Sequence, residues 1–389
     1  MAEQRRLTVV QVLPALEMGG VERGTLEVAR RLVQEGHRSI VISGGGRLVP
    51  QLLDEGSEHL PWDLGAKRLG TLRWIPRVRG FLLRERPDVL HLRSRLPAWM
   101  AYAAWKSLTP QARPALVTTV HGFYTPGRYS SVMVRGERVI AISESVRAHI
   151  LEHWPRVDPG RLRVIHRGVD PAAYPYGYAP PDAWLHAWRA RLPQIQGRYL
   201  LTLPARLSRW KGQEDFIEII AALRRKDIPV HGLLVGGAHP NKKRYETGLR
   251  ELIAAQDLDD CITLLGHRGD VREIMAISDV VLSLSRDPEA FGRVTLEALS
   301  LGRPVVAYDH GGVGEQLAAI LPEGRVPVGA RERVVERLQA WYGTPPRVPA
   351  QQPFTLDRML AATLEVYREL VAGRTPVATP NRQQTKLNT

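Results

Sequence analysis

The chain has 389 residues, 44% of them hydrophobic and 24% charged, which excludes a largely disordered protein and predicts more than one folded core. The single cysteine, Cys261, excludes an internal disulfide and a cysteine-based zinc cluster, and no apolar run reaches the roughly 18 residues of a membrane helix. The net charge of +14 favours an anionic partner such as nucleic acid, anionic lipid or a phosphorylated substrate.

The predicted elements begin with a strand over residues 7–13. The turn Met18-Gly19-Gly20 follows it and leads into a helix over 21–35 and a second strand over 39–43. Strand, helix and strand in this order are typical of a parallel sheet buried between helices. Charged residues follow the first apolar run too closely for a signal peptide, so we expect a cytoplasmic protein.

The same alternation continues along the chain. Further strands are predicted over 89–92, 116–120, 139–142 and 162–165, with a helix over 72–86 before them. A cluster of Pro, Tyr and Gly over 171–181 indicates a linker. After it the pattern restarts, with strands over 200–204, 230–235, 261–265, 280–284 and 305–308 and helices over 213–225, 245–256, 271–277 and 294–301.

The fold class is therefore α/β, with two tandem doubly wound, Rossmann-like domains over residues 1–175 and 176–354. A final helix over 355–371 is expected to cross back to the first domain, and the polar tail 375–389 is expected to be disordered. Two such domains form a cleft at their facing strand ends, and open α/β sheets bind ligands beyond the carboxyl ends of their strands. The loops after the strands are thus the place to look for function.

Most of the positive charge lies in the first domain. Residues 1–175 contain 26 basic and 16 acidic residues, and the basic stretch from Lys67 to Arg113 contains 11 basic residues opposed only by Glu85 and Asp88. This distribution predicts a basic face. General arginine-rich codon usage is the alternative explanation.

Two cations follow the first strand of the second domain. Arg206 and Lys211 lie five residues apart on a loop that opens the helix at Gln213. A helix N-terminus adds exposed N–H groups and positive dipole charge, so the loop suits a diphosphate. A solvated basic turn is the structural alternative.

Two carboxylates follow the strand over 280–284. Pro288 prevents helix continuation and Gly292 permits close backbone approach, so Glu289 is expected to project from a loop toward a ligand. Glu297 follows in the next helix among apolar neighbours, where a buried carboxylate needs a partner. Paired carboxylates can bind neighbouring hydroxyls of a ribose or hexose, whereas a routine helix glutamate is the alternative for Glu297.

For two further residues, a structural role is the alternative to a catalytic one. Cys261 lies in an apolar run and is expected to be a buried thiol rather than a nucleophile. His121 follows a predicted strand, and a lone histidine in that place is more often structural than catalytic.

Four short motifs occur in order along the chain. They are Gly19-Gly20-x-Glu-Arg, Arg206-x4-Lys211-Gly, Glu289-x-Phe-Gly-x4-Glu297 and Gly311-Gly312-x-x-Glu315. Each motif alone is weak, but together and at these distances they resemble the retaining glycosyltransferases of family 4, which have the GT-B fold. The resemblance extends from about residue 7 to residue 370. Its overall pattern is similar to bacterial enzymes of lipopolysaccharide core and surface-glycan synthesis.

The resemblance implies roles in donor binding for the second domain. Arg206 and Lys211 would bind the donor diphosphate and stabilise the charge of the leaving group, and Glu289 would contact the donor sugar. The remaining implied donor contacts are Phe291 and Gly292 for sugar and phosphate, Glu297 for the ribose, and Gly236, His267 and Arg268 for the base.

The resemblance also implies roles in the first domain. Gly19 and Gly20 would let the diphosphate approach their loop, and His121 would lie near the sugar and the acceptor. Two positions depart from the family pattern, since Ala205 replaces a common glycine and Arg167 replaces a common asparagine. Arg167 adds a positive charge that could alter acceptor or donor contacts.

The implied reaction is retaining sugar transfer from a nucleoside diphosphate sugar, with a UDP-hexose favoured, to a hydroxyl of a lipopolysaccharide core or related lipid-linked glycan. No cofactor and no metal are expected. Asp257 and Asp259 have the Asp-x-Asp form of metal-dependent glycosyltransferases of another fold, but they lie in a predicted polar turn. The basic first domain favours an anionic phosphorylated acceptor and peripheral contact with the inner face of the cytoplasmic membrane.

Two alternatives stay open. A sugar-nucleotide epimerase can share this architecture and would release its product without an acceptor. A basic nucleic-acid-binding protein would explain the net charge, although no helix-turn-helix, zinc-finger or stacked-aromatic module is found in the sequence.

Overall fold

The computed structural model describes residues 5–237 and 243–374. Contacts divide the chain into two compact units. The first unit runs up to Ile142, continues over Val146–Ile165 and resumes from Met359, and the second comprises Ser143–Ser145 and His166–Arg358. The domain limits at residues 175 and 354 stay predictions, and the tail 375–389 lies outside the described residues.

The first unit contains a sheet of seven parallel strands in the order β3-β2-β1-β4-β5-β6-β7. The strands are β1 Thr8–Val12, β2 Arg38–Ser43, β3 Glu58–Pro61, β4 Val89–Leu92, β5 Ala115–Val120, β6 Arg138–Ala141 and β7 Leu162–Val164. The central strands β4 and β5 are buried along their whole length. Burial on both faces explains why these strands are mainly apolar and show no regular polar alternation, although His91, Thr118 and Thr119 are buried within them.

Among the described residues, six α-helices belong wholly or mainly to the first unit. They are α1 Gly20–Gln34, α2 Val49–Asp54, α3 Trp74–Glu85, α4 Arg95–Lys106, α5 Glu144–His153 and, at the far end of the chain, α13 Leu356–Ala372. The last helix packs on the first sheet, because the hydroxyl of Tyr367 lies 2.6 Å from Nδ1 of His91 on β4.

The second unit contains a sheet of six parallel strands in the order β10-β9-β8-β11-β12-β13. The strands are β8 Tyr199–Pro204, β9 Val230–Val235, β10 Ile262–Gly266, β11 Val280–Ser283, β12 Val305–Tyr308 and β13 Arg325–Val326. The helices are α6 Asp182–Arg191, α7 Gln213–Arg224, α8 Lys243–Ala255, α9 Val271–Ile277, α10 Arg293–Ser300, α11 Gly311–Ile320 and α12 Arg331–Trp341.

The predicted fold class is confirmed, since each unit is a parallel sheet with strands and helices alternating in sequence. Two edge strands were missing from the prediction. β3 exposes both of its ends and β13 has only two residues, so neither has the apolar run of a buried strand. The basic stretch is also not wholly a surface feature, because Arg93 is 1% exposed and donates a hydrogen bond to Gln11. Burial lowers the pKa of this guanidinium.

No helix within the described residues is both long enough and apolar enough to cross a membrane.

Candidate active site

The order of strands in the second sheet determines which loops meet. The chain passes from β8 outward to β9 and β10, then returns to the other side of β8 with β11. The loops that follow β8 and β11 therefore leave neighbouring strands at the same edge of the sheet, at the point where open α/β sheets bind ligands. Arg206 and Lys211 lie on the first of these loops and Glu289 lies on the second.

The loop after β8 is held against the end of β11. Gly212 has a φ of +75° and precedes α7, and a Cβ at this position would overlap the carbonyl oxygen of Leu284. The side-chain amide of Gln213 donates to the carbonyl oxygen of Arg206 at 3.0 Å. The backbone around the two predicted cations is thus fixed from both sides.

Lys211 and Glu289 form an ion pair, with Nζ and Oε1 2.7 Å apart. The side chains are 14% and 20% exposed, so the pair is largely shielded from water while still reachable. The ammonium of Lys211 lies 4.0 Å from the ring centroid of Trp210, and the hydroxyl of Ser285 donates to the same Oε1 of Glu289 at 2.6 Å. The structure therefore brings together one predicted phosphate ligand and the predicted sugar ligand.

Arg206 supplies a second cation on the same loop. Its side chain is exposed, and it has no ion-pair partner within residues 5–237 and 243–374. The two cations thus differ: the ammonium of Lys211 is paired with the carboxylate of Glu289, whereas the guanidinium of Arg206 has no carboxylate partner among the described residues.

The start of α11 supports Glu289 from behind. The N–H of Gly312 donates to the carbonyl oxygen of Glu289 at 2.8 Å. A Cβ at Gly311 would overlap that carbonyl oxygen, and a Cβ at Gly312 would overlap Cα of Phe291. The paired glycines are therefore required by the close approach of two backbone segments, which the sequence motif alone did not explain.

Gly292 and Glu297 lie at the start of helix α10 and within it, respectively. Gly292 has a φ of +83° and precedes the helix, and the side-chain amide of Gln316 donates to the carbonyl oxygens of Phe291 and Gly292. Glu297 is 8% exposed and lies 3.9 Å from Nε of Arg293, one turn earlier. The predicted role of Glu297 in holding a ribose stays a prediction.

The residues predicted to border a base lie near the ends of β9 and β10. Gly236 has a φ of +151°, and its N–H donates to the carbonyl oxygen of Gly266 at 2.9 Å. His267 is exposed beside this turn. Arg268 is committed to Asp270 through two hydrogen bonds of 2.8 and 2.6 Å. Burial raises the pKa of Asp270, but the bonds from Arg268 and Trp184 outweigh it and hold this pKa below its usual value.

A buried cluster that sequence reasoning missed ties the loop after β11 to α7. Asp215, 1% exposed, accepts hydrogen bonds of 3.0 and 2.6 Å from Arg286 and one of 2.9 Å from the hydroxyl of Tyr308. The carboxylate raises the pKa of Arg286, and burial, followed by the same carboxylate, raises the pKa of Tyr308. Since Arg286 lies three residues before Glu289, this cluster positions the carboxylate loop. Only the tertiary structure reveals the pairing.

Glu315, the last residue of the fourth motif, is the centre of another cluster in the second unit. It accepts hydrogen bonds from the backbone N–H groups of Glu144 and Ser145 at 2.9 and 2.7 Å, and Nε2 of His166 lies 2.9 Å from it. Burial raises its pKa, but these bonds outweigh burial and hold it below the usual value of a glutamate. Glu315 thus fixes the backbone of segment 143–145.

The other predicted residues lie in the first unit. Gly19 and Gly20 are exposed at the start of α1, and Gly20 has open space where a Cβ would be. His121 is partly buried after β5, and its backbone N–H donates to the hydroxyl of Tyr124 at 3.4 Å. The guanidinium of Arg95 lies 4.8 Å from the ring centroid of Tyr124. Their catalytic roles stay predictions.

Cys261 is buried, 3% exposed, and burial raises the pKa of its thiol. It is therefore a poor nucleophile. Within residues 5–237 and 243–374, no group of three His, Cys, Asp or Glu side chains could hold a metal ion.

Comparison with known proteins agrees with this architecture. Residues 18–173 match the model of Glycosyltransferase Family 4, and residues 186–328 match the model of Glycosyl transferases group 1. A crystal structure of a glycosyltransferase from Rickettsia africae is 29% identical, with a TM-score of 0.83, and the match covers 95% of this chain and 100% of that one. The chain is a glycosyltransferase of the GT-B fold.

Two more distant structures share the fold. The Anabaena protein HepE, solved in complex with UDP and glucose, is 21% identical with a TM-score of 0.77 over 94% of this chain and all of that one. A glycosyltransferase involved in lipopolysaccharide biosynthesis is 16% identical with a TM-score of 0.63, over 94% and 95% of the two chains.

Curated relatives match part of the chain. A D-inositol 3-phosphate glycosyltransferase of Salinispora arenicola is 28% identical over 63% of this chain and 57% of its own length. An alpha-maltose-1-phosphate synthase of Mycolicibacterium smegmatis is 27% identical over 61% of this chain and 64% of its own length. The matches thus span between about half and two thirds of these relatives.

Proposed function

We propose that the protein transfers a hexose from a nucleoside diphosphate sugar, UDP-hexose being favoured, to a hydroxyl of an anionic, phosphorylated acceptor, with retention at the anomeric carbon. Group 1 glycosyltransferases use nucleotide-sugar donors. The observation that carries the proposal is the Lys211–Glu289 ion pair, together with the exposed Arg206 on the same loop as Lys211, which has no ion-pair partner among the described residues. We take the acceptor to be a lipopolysaccharide core or a related lipid-linked glycan.

The pair supports a defined sequence of events on donor binding. A diphosphate carries about two negative charges and would attract both Arg206 and Lys211. Once the ammonium binds phosphate, Glu289 loses its cationic partner and can accept hydrogen bonds from the sugar hydroxyls. The two cations then stabilise the charge that develops on the departing diphosphate.

The leaving phosphate would help to deprotonate the acceptor hydroxyl, so the reaction needs no metal ion in this proposal. His121 is assigned to the neighbourhood of the sugar and the acceptor. Gly19 and Gly20 are assigned to the diphosphate, and Phe291, Gly292, Glu297, Gly236, His267 and Arg268 keep the donor contacts given above.

A smaller phosphorylated acceptor is the second candidate. The names of the curated relatives specify inositol 3-phosphate for a glycosyltransferase and, as the product of a synthase, maltose 1-phosphate; both are small and carry a phosphate. Both candidates share an anionic acceptor, as the charge of the first half of the chain favours. The epimerase alternative gains no support, since both matched family models and the curated relatives named above are transferases or synthases.

A donor panel tests the proposal. UDP-, GDP- and ADP-hexoses are each incubated with extracted lipopolysaccharide cores and, separately, with inositol phosphates, and release of the nucleoside diphosphate is measured together with label transfer. We expect label on the core from a UDP-hexose. Label on an inositol phosphate would favour the second candidate, and a free epimerised sugar nucleotide without labelled acceptor would overturn the proposal.

The lipid-linked acceptor also implies peripheral contact with an anionic membrane surface. The positive charge of the basic stretch supports this part of the proposal, because each basic residue near an anionic bilayer contributes about 1 kcal/mol of attraction.

A further inference from the structure

The first unit contains a cavity of about 680 Å³ that is separate from the predicted site residues. Glu137, which lines it, directly precedes β6, and Arg161 directly precedes β7. The cavity therefore lies at the amino-terminal edge of the sheet. His121 follows the carboxyl end of β5, at the opposite edge of the same sheet. The cavity is thus not part of the proposed catalytic site.

Aromatic side chains form much of the cavity wall. Tyr102 and Trp105 on α4 stack with ring centroids 5.7 Å apart and an interplanar angle of 22°. Trp154, just after α5, faces the cavity as well. All three are partly buried and partly accessible. Rings that combine an apolar body with a polar edge are preferred where hydrocarbon meets water, as at the surface of a bilayer.

Three arginines also line the cavity: Arg135, Arg156 and Arg161. The guanidinium of Arg135 lies 5.3 Å from the ring centroid of Tyr102, and Arg161 donates to the backbone carbonyl oxygens of Arg135 and Gly136. Arg156 is exposed. None of the three forms an ion pair with a carboxylate in the part of the chain that the structure describes. Their positive charge is therefore not compensated locally.

The acidic residue in the cavity lining, Glu137, already has a basic partner. Glu137 accepts hydrogen bonds of 2.6 and 2.5 Å from Arg374 and one of 2.7 Å from the backbone N–H of Leu116. Its negative charge is thus offset by a cation that does not line the cavity. The lining residues thus carry a net positive charge, which favours an occupant that combines a negative group with apolar surface.

We propose that this cavity binds the phosphate headgroup of an anionic phospholipid, so that Tyr102, Trp105 and Trp154 lie at headgroup level when the protein contacts a bilayer. The inference locates the membrane contact and rests on that part of the proposed function. The basic stretch reaches the same place, because the guanidinium of Arg113 lies 4.7 Å from the ring centroid of Trp105. Charge from the cavity and from this stretch therefore acts on one surface.

The test is flotation of the full chain with liposomes of phosphatidylcholine containing phosphatidylglycerol, compared with phosphatidylcholine alone. The variant is Arg135→Gln with Arg156→Gln, since both side chains are exposed and their loss need not disturb the core. The control, Arg225→Gln with Lys226→Gln, removes the same charge from exposed residues at the end of α7 in the second unit.

We expect the wild type and the control to bind the anionic liposomes alike, and the cavity variant to bind about 30-fold more weakly, as the loss of two basic contacts predicts. Equal binding of cavity variant and control would overturn the inference and leave the membrane contact intact. Wild-type protein that ignores lipid charge would overturn both, whereas release of nucleoside diphosphate from the donor, measured in parallel, reports on the transfer reaction independently.

Competition with a soluble anion tests whether the cavity itself holds the lipid phosphate. Inorganic phosphate is added to the flotation assay at an ionic strength matched with sodium chloride. We expect phosphate to weaken flotation of the wild type more than the matched chloride, because the free anion competes with the lipid phosphate for the same arginines, and we expect this extra loss to be absent from the cavity variant. If phosphate weakened flotation of the wild type and of the cavity variant equally, the cavity would hold no lipid phosphate and the proposal would be overturned.

Discussion

The candidate active site of the second unit and the arginine cavity of the first unit use positive charge in different ways. At the active site, Lys211 is paired with Glu289 at 2.7 Å, and the loop beneath it is fixed by glycines and by a buried carboxylate. In the cavity, the guanidinium of Arg135 rests on aromatic rings without a carboxylate partner among the described residues. The comparison suggests that the candidate active site needs a defined geometry of its charged groups, whereas positive charge alone is sufficient in the cavity.

The largest effect is expected at the ion pair. Lys211→Ala removes a cation that would stabilise the leaving diphosphate, and we expect turnover to fall by about 100- to 1,000-fold, as when one preorganised electrostatic contact is lost. Glu289→Ala should have an effect of similar size. Steady-state release of nucleoside diphosphate measures both, with Arg225→Ala as an exposed control. A rate near that of the wild type in either variant would remove that residue from the site.

The next effect tests the buried cluster that positions Glu289. Arg286→Ala leaves the 1%-exposed carboxylate of Asp215 without its bidentate partner, and we expect a loss of about 3 kcal/mol in the free energy of unfolding. Urea denaturation measures this loss. Adding Asp215→Asn to the variant should recover part of the stability, because it removes a buried charge whose remaining cationic neighbour, Arg331, lies 4.0 Å away. If the effects of the two single substitutions on the free energy of unfolding simply added up in the double variant, the pairing of Arg286 with Asp215 would contribute nothing to stability.

The sequence predicted the fold well because both sheets consist largely of buried parallel strands, which are mainly apolar segments such as β5 and β9. It also singled out Arg206, Lys211 and Glu289 as candidates, since each follows a strand within a recognisable spacing; the structure brings Lys211 and Glu289 into contact, and the roles of all three stay predictions. It could not predict that Asp215 accepts hydrogen bonds from both Arg286 and Tyr308, because these contacts join residues 71 and 93 positions apart. The burial of Arg93 was missed for the same reason: its surroundings are formed by distant segments such as that of Gln11.

A smaller effect on stability and turnover is expected where α11 contacts the loop that carries Glu289. A Cβ at Gly312 would overlap the backbone of Phe291, so Gly312→Ala must displace one of the two segments. We expect a loss of about 2 kcal/mol in the free energy of unfolding and at least a tenfold loss in turnover. Gly248→Ala is the matched control, since Gly248 also lies within a helix and has open space around it. The free energy of unfolding of this control should be unchanged or higher by up to about 1 kcal/mol.

The smallest effects come from exchanging one cation for another. Lys211→Arg keeps the charge but places a planar fork where a compact ammonium contacts Glu289 and Trp210, so we expect turnover to fall at least tenfold. Arg135→Lys also keeps the charge, and it loses only the stacking on Trp99 and Tyr102, worth about 0.5–1 kcal/mol at an exposed site. Binding to anionic liposomes should therefore change by less than about fivefold. If Arg135→Lys weakened liposome binding by a larger factor than Lys211→Arg lowered turnover, the cavity would depend on defined geometry. The distinction between the two regions would then fail.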